Sequence, residues 1–161
     1  MLRLDDRDLQ ILKVLSREGR LPKAELAKRI NLSPTPCWER LKRLEQAGVI
    51  ESYQAHIALR HIAQHVTVFV AAELGSHRVE DFQSFERAVA RRAEIVACWS
   101  LGGGFDYLMQ VVTRDIDSYQ RLMDELLAER VGLVRYYTYI VTRTVKAGGP
   151  PPLDQLLGET D

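Results

Sequence analysis

The stretch Ser33–Gly48, SPTPCWERLKRLEQAG, constrains this chain more than any other, because both ends and the buried stripe of a helix are written into it. Ser33 suits the N-cap, where a side-chain oxygen meets the free N–H groups of a first turn. Pro34 suits the next position, where no backbone donor is needed, and Pro36 still lies in the first turn. Gly48 stands where a helix running to Ala47 needs a left-handed residue. Cys37, Leu41 and Leu44 are spaced i, i+4, i+7 and give one core-facing stripe. Thr35, Trp38, Glu39, Lys42 and Arg43 fall off that stripe.

Two helices precede it. Leu4, Leu9, Ile11, Leu12 and Leu15 recur at helical spacing between Asp5 and Glu18, with Asp5, Asp6 and Asp8 in the first turn, where the helix dipole favours anions, and Gly19 as the stop. A shorter helix is expected over Lys23–Ile30, with Leu26, Ala27 and Ile30 inward. After Gly48, the alternation of Val49–Ile57 reads as a strand or wing, and His56–His65 as a connection.

The second half changes period. Strands are expected at Val66–Leu74, Ile95–Leu101, Phe105–Val112 and Leu133–Val145, and helices at Val79–Arg92 and Ile116–Arg130. Gly102–Gly104 breaks the second strand from the third. The order is βαββαβ, the ferredoxin-like unit. The fold class is therefore α+β, a winged helix-turn-helix followed by a ferredoxin-like domain. Domain limits are expected at 1–64 and 65–147, with 148–161 a loose extension that opens GGPPP and holds one turn at Leu153–Leu157. Val66–Leu74 is apolar on both faces, with Val66, Val68 and Val70 on one and Thr67, Phe69 and Ala71 on the other. Two helices cover one face of such a sheet, so a homodimer is expected at least.

The bulk numbers exclude more than they select. At 46% hydrophobic and 27% charged, the 161 residues have the composition of a globular domain or two. No window approaches the ~18 apolar residues of a membrane span, and MLRLDDRDLQ lacks a signal-peptide core, so a cytoplasmic protein without membrane contact is expected. Cys37 and Cys98 show no paired spacing and read as free thiols. The net charge is zero but split: residues 1–65 hold 12 Lys+Arg against 8 Asp+Glu, and the remainder is correspondingly acidic. Such an asymmetry hints that the first half meets a polyanion.

Three helices with a short turn before the third make a helix-turn-helix, whose third helix buries one stripe and offers the other face to the major groove of double-stranded DNA. Small or polar residues at its N-terminus, here Ser33, Thr35 and Pro36, allow close approach to bases and phosphates. Arg40, Lys42 and Arg43 supply positive charge along and beside the exposed face. Glu39 is either a solvated charge or an acceptor for a cytosine amino group. Trp38 either packs on deoxyribose or a thymine methyl, or covers the wing. Spacing and charge also fit a three-helix unit that binds protein, which leaves a sensor or interaction protein as the alternative.

LDDRDLQILKVLSREGR, ELAKRINLSPTPCWERLKRLEQAGVIESYQA and GGFDYLMQVV resemble the Lrp/AsnC family of feast/famine regulators, over about Leu2 to Lys146. The resemblance implies DNA binding and a second domain that binds an amino acid or related metabolite; with the dimer that the sheet requires, recognition of paired half-sites is expected. The resemblance also implies homodimers that assemble further, commonly to octamers, and a transcription regulator rather than an enzyme. The effector pattern of that family, Gly-Asp/Glu-Phe/Tyr-Asp-Tyr, reads here Gly103-Gly104-Phe105-Asp106-Tyr107, with Gly104 where an acid is usual. The resemblance makes Gly103, Gly104, Phe105 and Asp106 candidate effector contacts, with Thr138 and Tyr139 as further ones. Backbone N–H groups of the glycine run can cradle a carboxylate, and Asp106 can meet an ammonium group; the alternative is a hairpin turn without ligand.

Other constellations carry less. His61 and His65 are four apart with no acidic or thiol partner close in sequence, so no metal is expected. Ser100 and Asp106 lack the context of a catalytic triad, and the glycine run lacks that of a phosphate loop, so no cofactor is expected. Tyr136, Tyr137 and Tyr139 are taken as packing or oligomer contacts.

Overall fold

A computed structural model describes residues 2–157, and these form two compact units: 2–57 with 146–157, and 58–145.

In the first unit, α1 (Asp6–Arg17) starts at Asp5, whose carboxylate accepts the Asp8 N–H at 3.0 Å while Asp8 accepts the Asp5 N–H at 3.0 Å. This reciprocal cap satisfies two of the donors that a helix start leaves open. Only seven residues form α2 (Lys23–Arg29), too short to be stable alone; it is held by burying Leu26 and Ala27. Asn31 takes φ +52° after it, with the Leu32 N–H on the Ala27 carbonyl, and turns the chain into α3 (Pro34–Gln46). The end of α3 repeats that device: Gly48 at φ +68° lets the Val49 N–H reach the Leu44 carbonyl and its own N–H reach Glu45, each at 3.0 Å. Ile11, Leu26, Ala27, Ile30, Cys37, Leu41 and Leu44 form the core.

Two expectations need correction here. Residues 49–57 form no strand. Among the described residues no second strand lies beside them to complete a ladder, and the segment is instead tied to α3 by the Tyr53 hydroxyl, which donates to Glu45 at 2.9 Å. The chain beyond Lys146 is not a loose extension up to Leu157. Lys13 pairs with Asp154 at the start of α6 (Leu153–Leu157), and Pro151 and Leu153 share a 560 Å³ groove with Leu12, Leu15, Val49 and Tyr53. Residues 158–161, the end of that expected extension, lie outside the described residues.

The second unit opens with a 3-10 turn at Leu59–His61 and continues as β1 (Val66–Leu74), α4 (Val79–Ala90), β2 (Ile95–Ser100), β3 (Tyr107–Thr113), α5 (Ile116–Ala128) and β4 (Leu133–Ile140). The antiparallel sheet has the order β2-β3-β1-β4, as βαββαβ connectivity requires. One face packs Val68, Val70, Ala72, Met109 and Val111 against Phe85, Ala88, Leu122, Met123 and Leu126 of the helices. The β4 strand ends five residues short of Val145 because β1, its only ladder partner, begins at Val66. The register places Phe69, Ala71, Leu108, Trp99, Tyr137 and Tyr139 on the other face, where Trp99 is 47% and Tyr139 53% exposed.

Candidate DNA-binding surface and effector turn

The buried stripe of α3 is Cys37, Leu41 and Leu44, so the opposite face is fixed by helical geometry. Thr35, Pro36, Glu39 and Lys42 lie exposed there, with Ser33 at its start. Ser33 has N-cap backbone geometry, yet its side chain makes no capping bond. Pro36 occupies the position whose N–H a capping serine would meet.

Arg40 and Arg43 do not join that face freely. Arg40 lies on the shoulder toward α1, where its Nη1 donates to Asp5 at 2.6 Å and Asp8 at 3.0 Å; Arg43 donates to the second oxygen of Asp8. Asp8 is completely buried, and a buried charge persists only when paired and hydrogen-bonded. The hydrogen bond from Arg40, joined by that from the Asp8 N–H, holds the Asp5 carboxyl down at about 2. Helical spacing alone placed these arginines near DNA; it carried no sign of the acids on α1 that engage them.

Trp38 meets a cation from its own unit. Lys23 of α2 places its Nζ 3.0 Å from the indole centroid, so the ring supports a cation from the preceding helix and remains 40% exposed.

The turn Gly102–Asp106 joins β2 to β3. Gly103 takes φ +154°, which favours glycine, whereas an added Cβ at Gly102 or Gly104 meets nothing within 4 Å. Asp106 closes the turn. Its Oδ2 accepts the Leu74 N–H at 2.7 Å, its Oδ1 lies 3.0 Å from His77 Nε2, its N–H donates to Ala72, and its carbonyl accepts from Leu101. The expected ammonium contact therefore competes with His77. Phe105 packs edge-on against Tyr137 at 5.3 Å between centroids. Tyr139 and Thr138 point to opposite faces of β4. The Thr138 hydroxyl is 2.5 Å from that of Tyr119 on α5, on the helix side of the sheet. His77 and Tyr137 are the neighbours of the turn that spacing did not reveal.

A separate 380 Å³ cleft lies between α4 and β2, lined by Glu86, Val89, Cys98, Ser100 and Tyr107. The Tyr107 hydroxyl donates to Glu86 at 2.8 Å. Burial, assisted by Glu86, pushes the Cys98 thiol up to about 11, so it is protonated at neutral pH.

Residues 67–151 match the family model for the Lrp/AsnC ligand-binding domain, and residues 4–51 match that for a winged helix-turn-helix DNA-binding domain. The chain belongs to the Lrp/AsnC family of transcriptional regulators. Among the relatives of this Lrp/AsnC regulator, the transcriptional regulatory protein DoeX of Halomonas elongata is 50% identical over 145 residues, 90% of this chain and 92% of that one. The leucine-responsive regulatory protein of Escherichia coli is 38% identical over 143 residues, 89% of this chain and 87% of that one. Among solved structures, the L-Met complex of the transcriptional regulator NMB0573 from Neisseria meningitidis superposes with a TM-score of 0.87 at 30% identity, covering 96% of this chain and 99% of that one. An AsnC-family regulator from Agrobacterium tumefaciens gives 0.86 at 31% identity, covering 95% and 99%. The regulator thus combines a DNA-binding helix-turn-helix with a ligand-binding α+β domain. Among the described residues, no helix is long and apolar enough to cross a membrane.

Proposed function

We propose that this regulator binds double-stranded DNA sequence-specifically at paired half-sites, and that an amino acid or related metabolite tunes it through oligomeric assembly in the cytoplasm. The observation that carries the first part is α3, which is buried on one stripe and presents Ser33, Thr35, Pro36, Glu39 and Lys42 outward. Lys42 supplies a phosphate contact and Thr35 approaches base edges at the helix start. Trp38 flanks this surface with its Lys23 cation. The second part is supported by the apolar open sheet face, which a second copy of the chain would cover, and by relatives named for leucine response or solved with L-Met. In this reading, dimers assemble further to an octamer, and Gly103, Gly104, Phe105 and Tyr139 lie on the effector side. Asp106 contributes by holding the turn in shape.

Gel-shift or anisotropy titrations on a random-sequence duplex at graded salt test the DNA surface. Lys42→Ala is expected to flatten the dependence of log K on log[salt] by about 0.9 per bound protomer. Thr35→Ala is expected to narrow the preference for a selected site over that duplex. If both variants bind as the parent does, the surface is misassigned. Calorimetry against a panel of amino acids tests the effector, and sedimentation the assembly.

A further inference from the structure

The sequence gives α3 three basic residues, yet two of them face acids within their own fold. Arg40 and Arg43 carry two positive charges; Asp5 and Asp8, which they contact, carry two negative ones. Of the four, Asp8 is the completely buried one, whereas the Arg43 side chain is 46% exposed and so lies at the surface. Both oxygens of Asp8 are used, one by Arg40, the other by Arg43 and the Asp5 N–H. A phosphate that drew both guanidiniums away would strand a buried carboxylate without a counter-charge, a costly state. On the outer face there remain Lys42 and Glu39, which balance each other.

We propose that Asp8 is a positioning residue for DNA binding: it clasps Arg40 and Arg43 against α1 and keeps both guanidiniums out of the set of phosphate contacts. This rests on the DNA-binding reading of α3 and adds a limit to it. The helix reads DNA with fewer charges than its sequence advertises. Non-specific affinity, which scales with the phosphates neutralised, is thereby held down relative to contacts made at base edges. Asp5 serves as the second jaw of the clasp and, through the shared cap, ties it to the start of α1.

The test uses the full chain and a random-sequence duplex, with binding followed from about 50 to 200 mM salt. Asp8→Asn keeps an acceptor for the Asp5 N–H and removes the charge. It is expected to steepen the salt dependence by about 0.9 per arginine released, which is a further threefold to fourfold loss of affinity across that range for each. Asp8→Glu disturbs the packing but keeps the charge, and is expected to retain the parent slope. Arg43→Gln alone is expected to leave the slope unchanged, and in the Asp8→Asn background to remove the part that Arg43 adds. Should Asp8→Asn not fold, Arg43→Gln still decides, because a clasped Arg43 adds nothing to the slope of the parent. An unchanged slope in the charge-removing variant overturns the proposal, as does an Arg43→Gln protein whose slope is flatter than the parent's. Failure of the DNA-binding reading is separate, because it appears as indifference to Lys42→Ala.

Discussion

The end of α3 and the turn between β2 and β3 are both glycine-containing bends, but they are held in different ways. The α3 end is closed by residues within five positions of one another: Leu44 and Glu45 accept from Val49 and Gly48, and Gly48 supplies the left-handed backbone. The β2–β3 turn is closed from a distance. Asp106 takes the N–H of Leu74, 32 residues earlier, and faces His77, while Phe105 leans on Tyr137 of β4. A bend of the first kind is legible in sequence because its partners are its neighbours. In the second kind, the residue that matters is the one whose partners sequence spacing does not name.

The largest effect expected from breaking the local side is Leu44→Ala. Leu44 is fully buried beneath α3, and its truncation should cost the first unit about 2–5 kcal/mol in denaturant unfolding. The distant side is tested by Asp106→Ala. It strands the Leu74 N–H and should cost the second unit about 1–3 kcal/mol, whereas Asp106→Asn, which keeps an acceptor, should lose less. Equal stability of parent and Asp106→Ala would show that the turn holds itself, and the contrast between the two bends would disappear.

Gly48→Ala forces an L side chain to φ +68° and should lower stability by about 1–2 kcal/mol. Gly104→Ala, with open space around it and no positive φ, should change the melting profile by less than about 0.5 kcal/mol, the ordinary scatter of a surface position. The two glycines would thus separate a backbone requirement from a merely tolerated residue. The smallest effect is electrostatic. The Asp5 carboxyl is held at about 2 in the fold against 3.8 ordinarily, foremost by Arg40. A depressed carboxyl stabilises above its unfolded pKa and loses that contribution as pH falls through its folded one. The first unit should therefore lose stability between about pH 4 and pH 2, and Arg40→Ala should flatten that loss in acid-unfolding curves.

Much of the fold was legible. The strand Val66–Leu74, the turn at Leu153–Leu157 and the close of α3 at Ala47–Gly48 stand where period, proline and glycine put them. Where spacing falls short, the cause is shared. Val49–Ile57 has the alternation of a strand, but a strand exists only with a neighbour to bond. Thr138 and Tyr139 are adjacent in sequence and on opposite sides of the sheet, since side chains alternate along a strand. The spacing around Trp38 names no partner, and the one it meets, Lys23, comes from the preceding helix.

By itself the sequence determined the two periods, the caps, the inward stripe of α3 and, from its motifs, the family. These depend on residues two to seven positions apart, where backbone geometry fixes who meets whom. Only the tertiary structure decided that Asp5 and Asp8 reach Arg40 and Arg43 across more than thirty residues, and that Asp106 closes a turn with both of its oxygens engaged. Charge is non-directional and gives no spacing signal. Which arginine faces DNA and which faces a buried acid is set by how the helices pack.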